Sequence, residues 1–167
     1  MTIRPAQPDE LPLLAAIERR AAARFGPDDL PPQLRGDTLP LACLQRAQAT
    51  GLLWVAVAAD ASPAGFLAAE AAGAALHICE VSVIPEQGGQ GLGRALLEAA
   101  RRHGQETGFA ALTLTTFDHL PWNRPFYERL GFRVVAAEAC DEHLRQALIA
   151  ETRAGLRNRV AMRRELP

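Results

Sequence analysis

Apolar positions recur along the chain with two periods, and the switches between them mark out its elements. Residues 2–4 open as a short extended segment. Pro8, Asp9 and Glu10 then start a helix, their acidic groups suiting its positive end. Leu14, Ile17, Ala21 and Phe25 follow at helical spacing until Gly26 and Pro27 close it. Residues 28–37 are Pro-rich and read as a loop, and 39–48 as a weaker helix ending near Gly51. Three strands come next, over 52–58, 65–71 and 75–84. Asp60, Ser62 and Pro63 make the first turn between them, and Gly73 the second. The period returns to helical over 91–106, with Leu92, Ala95, Leu96 and Ala99 on the inner face and Glu98 and Arg102 one turn apart outside. Gly108 stops this helix. A strand over 111–116, a short helix over 122–130 stopped by Gly131, a strand over 132–137, a helix over 143–154 and a strand over 157–163 complete the chain. No repeat or low-complexity linker interrupts it. The mixed order of strands and helices predicts one α/β or α+β domain over residues 1–167.

Composition changes this picture little. An apolar share of 49% and a charged share of 22% are those of a globular domain, and a net charge of -1 predicts no nucleic-acid surface. No apolar run reaches the length of a membrane span, and residues 1–5 carry no signal-like pattern, so a cytoplasmic protein is expected. Cys43, Cys79 and Cys140 are too few and too scattered for a disulfide framework or a structural zinc site, and no metal is expected. Every cationic side chain other than histidine is arginine, so no lysine is available for modification.

The sharpest local signal is Val83-Ile84-Pro85-Glu86-Gln87-Gly88-Gly89-Gln90-Gly91-Leu92-Gly93-Arg94, where a strand gives way to a helix. Four glycines in six positions let backbone approach a ligand without Cβ atoms in the way. The helix behind them presents free N–H groups and a positive dipole end, which together favour an anion. Arg94, in the first turn, is badly placed against that dipole unless a phosphate offsets it. Spacing excludes two familiar motifs. No register gives the G-x-G-x-x-G of a dinucleotide site. Gly88 and Gly93 have the separation of a P-loop, but Arg94 and Ala95 stand where its Lys and hydroxyl belong.

This loop resembles the coenzyme A loop of the GNAT superfamily of N-acetyltransferases, [QR]-x-x-G-x-[GA] after a strand ending in Val-x-Pro, with Gly88 replacing the Gln or Arg. Trp122-Asn123-Arg124-Pro125-Phe126-Tyr127-Glu128-Arg129-Leu130-Gly131-Phe132 is similar to the family's second signature, Phe-Tyr-Glu-x-Leu-Gly-Phe. The resemblance implies a central, mixed but mostly antiparallel, twisted sheet of about 6–7 strands flanked by about 4–5 helices. It implies acetyl-CoA as co-substrate, held by Val81, Ser82, Val83, Gly88, Gly89, Gln90, Gly91, Leu92, Gly93, Arg94, Asn123 and Phe126, largely through backbone N–H groups. Asn123 and Pro125 depart from the family's commoner Asn-x-x-Ala spacing. The expected acceptor is a small-molecule amine or a protein N-terminus, and a homodimer is compatible with the family. A non-catalytic acyl-CoA-binding or regulatory module on the same fold is the alternative.

Acyl transfer to an amine sets three demands. The amine must be neutral, which for a lysine-like group at pH 7 costs roughly 4.6 kcal/mol. The developing oxyanion needs N–H donors, and the leaving thiolate needs a proton. Glu80, a carboxylate in what reads as a central strand, is the candidate base, against a structural hydrogen-bonded Glu. Tyr127, the one tyrosine, is the candidate acid, against a core aromatic with a tethered hydroxyl. A backbone N–H near Val81 or Val83 is placed to receive the oxyanion. His77 and Cys79 lie two apart on one strand, which raises a covalent route through Cys79, but no third orienting residue is visible. His103, His119 and His143 read as surface or satisfied groups. Glu138, Asp141 and Glu142 are candidates to hold a cationic acceptor or are a solvated loop.

Overall fold

A computed structural model describes residues 1–167. Seven strands form one sheet in the order β1-β2-β3-β4-β5-β7-β6. They are β1 (Thr2–Pro5), β2 (Leu53–Val57), β3 (Pro63–Ala72), β4 (Ala75–Val83), β5 (Ala111–Phe117), β6 (Arg133–Val135) and β7 (Arg159–Glu165). The helices are α1 (Leu11–Ala22), α2 (Leu41–Ala49), α3 (Leu92–Glu106), α4 (Arg124–Arg129) and α5 (Glu142–Arg153). Every neighbouring pair of strands is antiparallel except β4 with β5. Sequence-based boundaries differ from these mostly by one to three residues. The first helix differs more: Pro8–Glu10 is a separate 3-10 turn, and Phe25 lies beyond the last residue of α1. Phe25 packs instead on the rings of Phe117 and Trp122, at 5.4 and 6.3 Å between centroids.

Two cores sandwich the sheet. On one face, α3 buries Leu92, Leu96, Leu97 and Ala100 against Leu76, Ile78, Leu112 and Leu114. Its inner stripe is displaced from the expected one, since Leu97 and Ala100 are buried where Ala95 and Ala99 are half-buried. Glu98 accordingly pairs with Arg101, Nε to Oε1 2.9 Å, and not with Arg102. On the other face, Leu14, Ile17, Leu44 and Ala47 of α1 and α2 meet Leu53, Val55, Phe66 and Ala68. Further along that face α5 contributes Leu144, packed on Ala161 of β7 and Cys140.

Two irregularities shape the middle of the sheet. The parallel contact of β4 with β5 covers only Ala75–His77 against Ala111–Thr113, whereas β5 stays paired with β7 along its full length. Past His77, β4 therefore has no strand on its β5 side, and the sheet splits into two wings. The second irregularity is a bulge in the β3–β4 ladder: Ala68 faces Glu80 and Ala69 faces Ile78, so Cys79 is the extra residue.

Candidate active site

The bulge decides where Glu80 points. Leu76 and Ile78 belong to the α3-side core, and His77 between them takes the opposite face. Strict alternation would send Glu80 to the α3 side. The extra residue moves it across, and Ser82 follows two positions later, while Val81 and Val83 pack on the α3-side core. The Ser82 hydroxyl donates to Glu80 Oε1 at 2.8 Å. The Glu80 carboxyl lies against that of Glu18 on α1, and Glu18 also accepts the Leu39 N–H at 2.9 Å. Burial pushes Glu80 up to about 8, the Glu18 carboxylate pushes the same way, and Ser82 and the Arg159 guanidinium oppose them. Burial also raises Glu18. Glu80 thus keeps a proton at neutral pH that an ordinary glutamic acid would have lost.

Tyr127 comes from α4, packed on the α3-side core and near enough to Glu80 for its phenol to feel that carboxyl's charge. Its ring packs edge-on to Phe126 and Phe132, at 5.2 and 5.7 Å between centroids. Its hydroxyl makes no hydrogen bond within the chain and is not sealed from solvent, unlike Trp122 Nε1 and Asn123 Oδ1, which are buried without partners. The tethered-hydroxyl alternative is thereby removed. Burial, then the nearby Glu80 charge, holds the phenol above its ordinary value, so it stays protonated.

The glycine loop closes the other end. Pro85–Gln87 forms a 3-10 turn and Gly91 caps α3. Gly89 and Gly91 take φ of +74° and +81°, the left-handed region where a side chain is strained. No backbone N–H from Gly89 to Arg94 donates a hydrogen bond within the chain, so six consecutive donors are left unpaired at the positive end of a fifteen-residue helix. Arg94 is exposed and has no carboxylate partner. Phe126 Cζ stands 3.5 Å from where a Cβ on Gly93 would be, so α4 and the loop abut.

Between loop and carboxyl runs the free edge of β4. The Ile84 N–H turns toward β3, donating to Ala64 at 2.9 Å. By alternation Ser82 faces β3 too, and its carbonyl lies 2.7 Å from where a Gly65 Cβ would sit. The N–H groups of Val81 and Val83 therefore face the open side. Of the expected donor-binding residues, the fold places Val81, Val83, Gly89, Gln90, Gly91, Gly93, Arg94 and Phe126 along one edge. Leu92 joins them by its N–H alone, since its side chain is buried in the core. Ser82 is drawn off to Glu80 and β3. Gly88 spends its N–H on Pro85, and Asn123 offers only a long 3.5 Å contact to the Trp122 carbonyl.

Other candidates resolve into structure. Cys79 is pushed up to about 12, chiefly by burial, so no thiolate is available for a covalent route. His77 bonds Thr113 at 3.0 Å and is brought down to about 4 by burial and by His143 beside it. His119 bonds Asp29 at 3.0 Å, His143 faces Glu70 at 3.4 Å and His103 packs edge-on to Trp54. Asp141 caps α5, accepting the Leu144 N–H at 2.9 Å, and Glu142 pairs with Arg145 at 2.7 Å.

Sequence reading missed Glu18. Its position four residues after buried Leu14 puts it beside the apolar stripe of α1, which is the signal that could have found it.

The chain matches the model of a family described as the acetyltransferase (GNAT) family over residues 14–132. Solved structures share its fold. The ribosomal-protein-S18-alanine N-acetyltransferase of Escherichia coli aligns over 99% of this chain and 93% of its own, with TM-score 0.71 and 21% identity. The N-acetylglutamate synthase of Neisseria gonorrhoeae, complexed with coenzyme A and N-acetyl-glutamate, aligns with TM-score 0.77 and 18% identity over 99% of this chain but 35% of that longer one. A PaiA N-acetyltransferase of Thermoplasma acidophilum in complex with coenzyme A aligns over 98% of both chains, with TM-score 0.70 and 18% identity.

Proposed function

The chain belongs to the acetyltransferase (GNAT) family, and from that premise we propose that it transfers an acetyl group from acetyl-CoA directly to a primary amine. The observation that carries this reading is the run of six unpaired N–H groups from Gly89 to Arg94, continuous with the free edge of β4 and ending at Glu80 and Tyr127. The cradle suits a pyrophosphate: a helix N-terminus, glycines that expose backbone, and an unpaired Arg94. The β4 edge would pair with the amides of the pantetheine arm as an added strand does. The N–H groups of Val81 and Val83 supply donors for the oxyanion.

Glu80 gives up its own proton to solvent as the cationic acceptor enters, and then takes one proton from the ammonium. The freed nitrogen lone pair forms the C–N bond at the thioester carbon, and the C–S bond breaks with its electrons on sulfur. A second nitrogen proton ends on sulfur by way of Tyr127, which donates its own and is reprotonated. Ammonium and thioester thus give amide, thiol and one proton. Because the Tyr127 phenol is a weaker acid than a thiol, its hydrogen bond to sulfur is needed as C–S breaks, not after.

Excess acetyl-CoA should raise the melting temperature, and Gly91→Asp should abolish the rise by placing negative charge against the phosphate. Free thiol should appear when a panel of amines is added: a polyamine, a peptide with a free N-terminus and an N-blocked peptide containing lysine. No thermal shift at saturating acetyl-CoA would remove the donor assignment. A shift without thiol release from any amine would favour a binding module.

A further inference from the structure

The carboxyl of Glu18 has no counterpart in the demands of acyl transfer, yet its position is closely determined. It leaves α1 on the side facing β4 and accepts the Leu39 N–H at 2.9 Å. Leu39 lies near the end of the connection from α1 to α2, so the same carboxyl ties that connection back to α1. α1 packs directly on β4, and the other neighbour of this carboxyl is that of Glu80. Glu80 in turn holds the Ser82 hydroxyl at 2.8 Å. The other ionisable groups near Glu80 are Arg159 from β7, Tyr127 from α4 and its chain neighbour Cys79, which stays a neutral thiol, while Arg19 acts on Glu18 from its own helix. Arg159 is shared: its guanidinium bonds Glu151 at 3.1 Å and stacks over the Phe117 ring at 4.4 Å. Its charge is thus divided, and it only partly offsets that of Glu80.

We propose that Glu18 is a positioning residue of the acceptor site: it shares one proton with Glu80, and the two carboxyls together receive the acceptor as its ammonium cation. This rests on the transferase reading above and deepens it by naming the charge of the acceptor and the residue that selects it. Two carboxyls in contact cannot both ionise cheaply, so the empty pair carries one proton and a single negative charge. An entering ammonium makes the second charge affordable. The shared proton leaves for water, and the ammonium sits against two carboxylates. Glu80 then takes a proton from nitrogen: one N–H bond breaks, one O–H bond forms on Glu80, and the pair again holds one proton beside a neutral amine. Glu18 touches neither the thioester nor sulfur. It keeps Glu80 protonated until a cation arrives, and it supplies the second charge that attracts one.

Glu18→Gln separates this role from a structural one, because the amide oxygen still accepts the Leu39 N–H. With the amine that gives the fastest thiol release, KM should rise about tenfold, the worth of a hydrogen bond to a charged group. The acidic limb of kcat/KM should move to lower pH, since Glu80 loses a like-charged neighbour. The acetyl-CoA-induced rise in melting temperature should be unchanged, which also shows that the variant is folded. Unchanged KM and an unmoved acidic limb in a folded variant would overturn the proposal while leaving the transferase reading intact. A ligand-free measurement tests the shared proton by itself. In wild type, stability should fall from about pH 4.5 toward about 8, because over that range the folded pair keeps a proton that the unfolded chain has lost. In Glu18→Gln that window should close at lower pH, and superimposable profiles would sink the pairing whether or not any amine reacts. Failure of wild type to release thiol from every amine would instead overturn the transferase reading on which the acceptor's role depends.

Discussion

At the scale of single residues, the site depends on groups whose usual partners are missing. Most polar groups in a folded chain are paired. Here the Tyr127 hydroxyl and the N–H groups from Gly89 to Arg94 are not. A free phenol beside a half-buried carboxyl serves a reacting atom better than it serves stability. Tyr127→Phe should therefore lower kcat on the order of 10²-fold, the lower range for a positioned acid, with little change in the acetyl-CoA-induced melting shift. Equal turnover in the variant, measured by thiol release, would take Tyr127 out of the chemistry. The motif Phe126-Tyr127-Glu128 was legible from sequence, but the freedom of the hydroxyl was not. A tyrosine reads alike whether tied or free, because its partner would come from elsewhere in the chain.

At the scale of elements, caps and turns were legible because they are local. Gly108 and Gly131, read as helix stops, take φ of +85° and +89° just past α3 and α4, whereas Gly91, read as the first helical residue, caps α3 from the left-handed region. Asp141 shows the opposite outcome. Its charge suggested a hold on the acceptor amine, but its backbone is extended and its side chain caps α5. Asp141→Ala should cost about 1 kcal/mol of stability by denaturant titration and leave the acceptor KM unchanged. A raised KM at unaltered stability would return Asp141 to the acceptor site. The inner face of α3 was misplaced by about one position because Ala is common on both sides of this helix. A stripe drawn through Ala95 and Ala99 fits the spacing as well as one through Leu97 and Ala100.

At the scale of the whole molecule, a carboxyl held protonated among packed elements links the site to stability. Glu80 ordinarily releases its proton near 4.5, and in the folded chain near 8. Between these values the folded state binds the extra proton, so stability falls as pH rises across that window and levels off above it. Glu80→Gln removes the titration. Its melting temperature relative to wild type should climb from pH 4.5 to pH 8 and then stay constant, as thermal unfolding across that range would show. Parallel curves would mean that Glu80 ionises normally in the folded chain.

The sequence by itself determined most of the elements, the glycine run before α3, and the motifs whose family resemblance pointed to Glu80 and Tyr127. Each is written in spacing within about fifteen residues, where periodicity and turn chemistry act. Tertiary structure alone decided three things. It parted β4 from β5 after His77, since β5 holds its full pairing with β7. It turned Glu80 across the sheet through a one-residue bulge, which no hydrophobic pattern encodes, because Cys79 and Glu80 read equally well in either register. And it set Glu18 against Glu80 across sixty-two positions of chain. Contacts between distant residues have no local signature, so the charge that surrounds the acceptor became legible only once the helix and the strand were packed together.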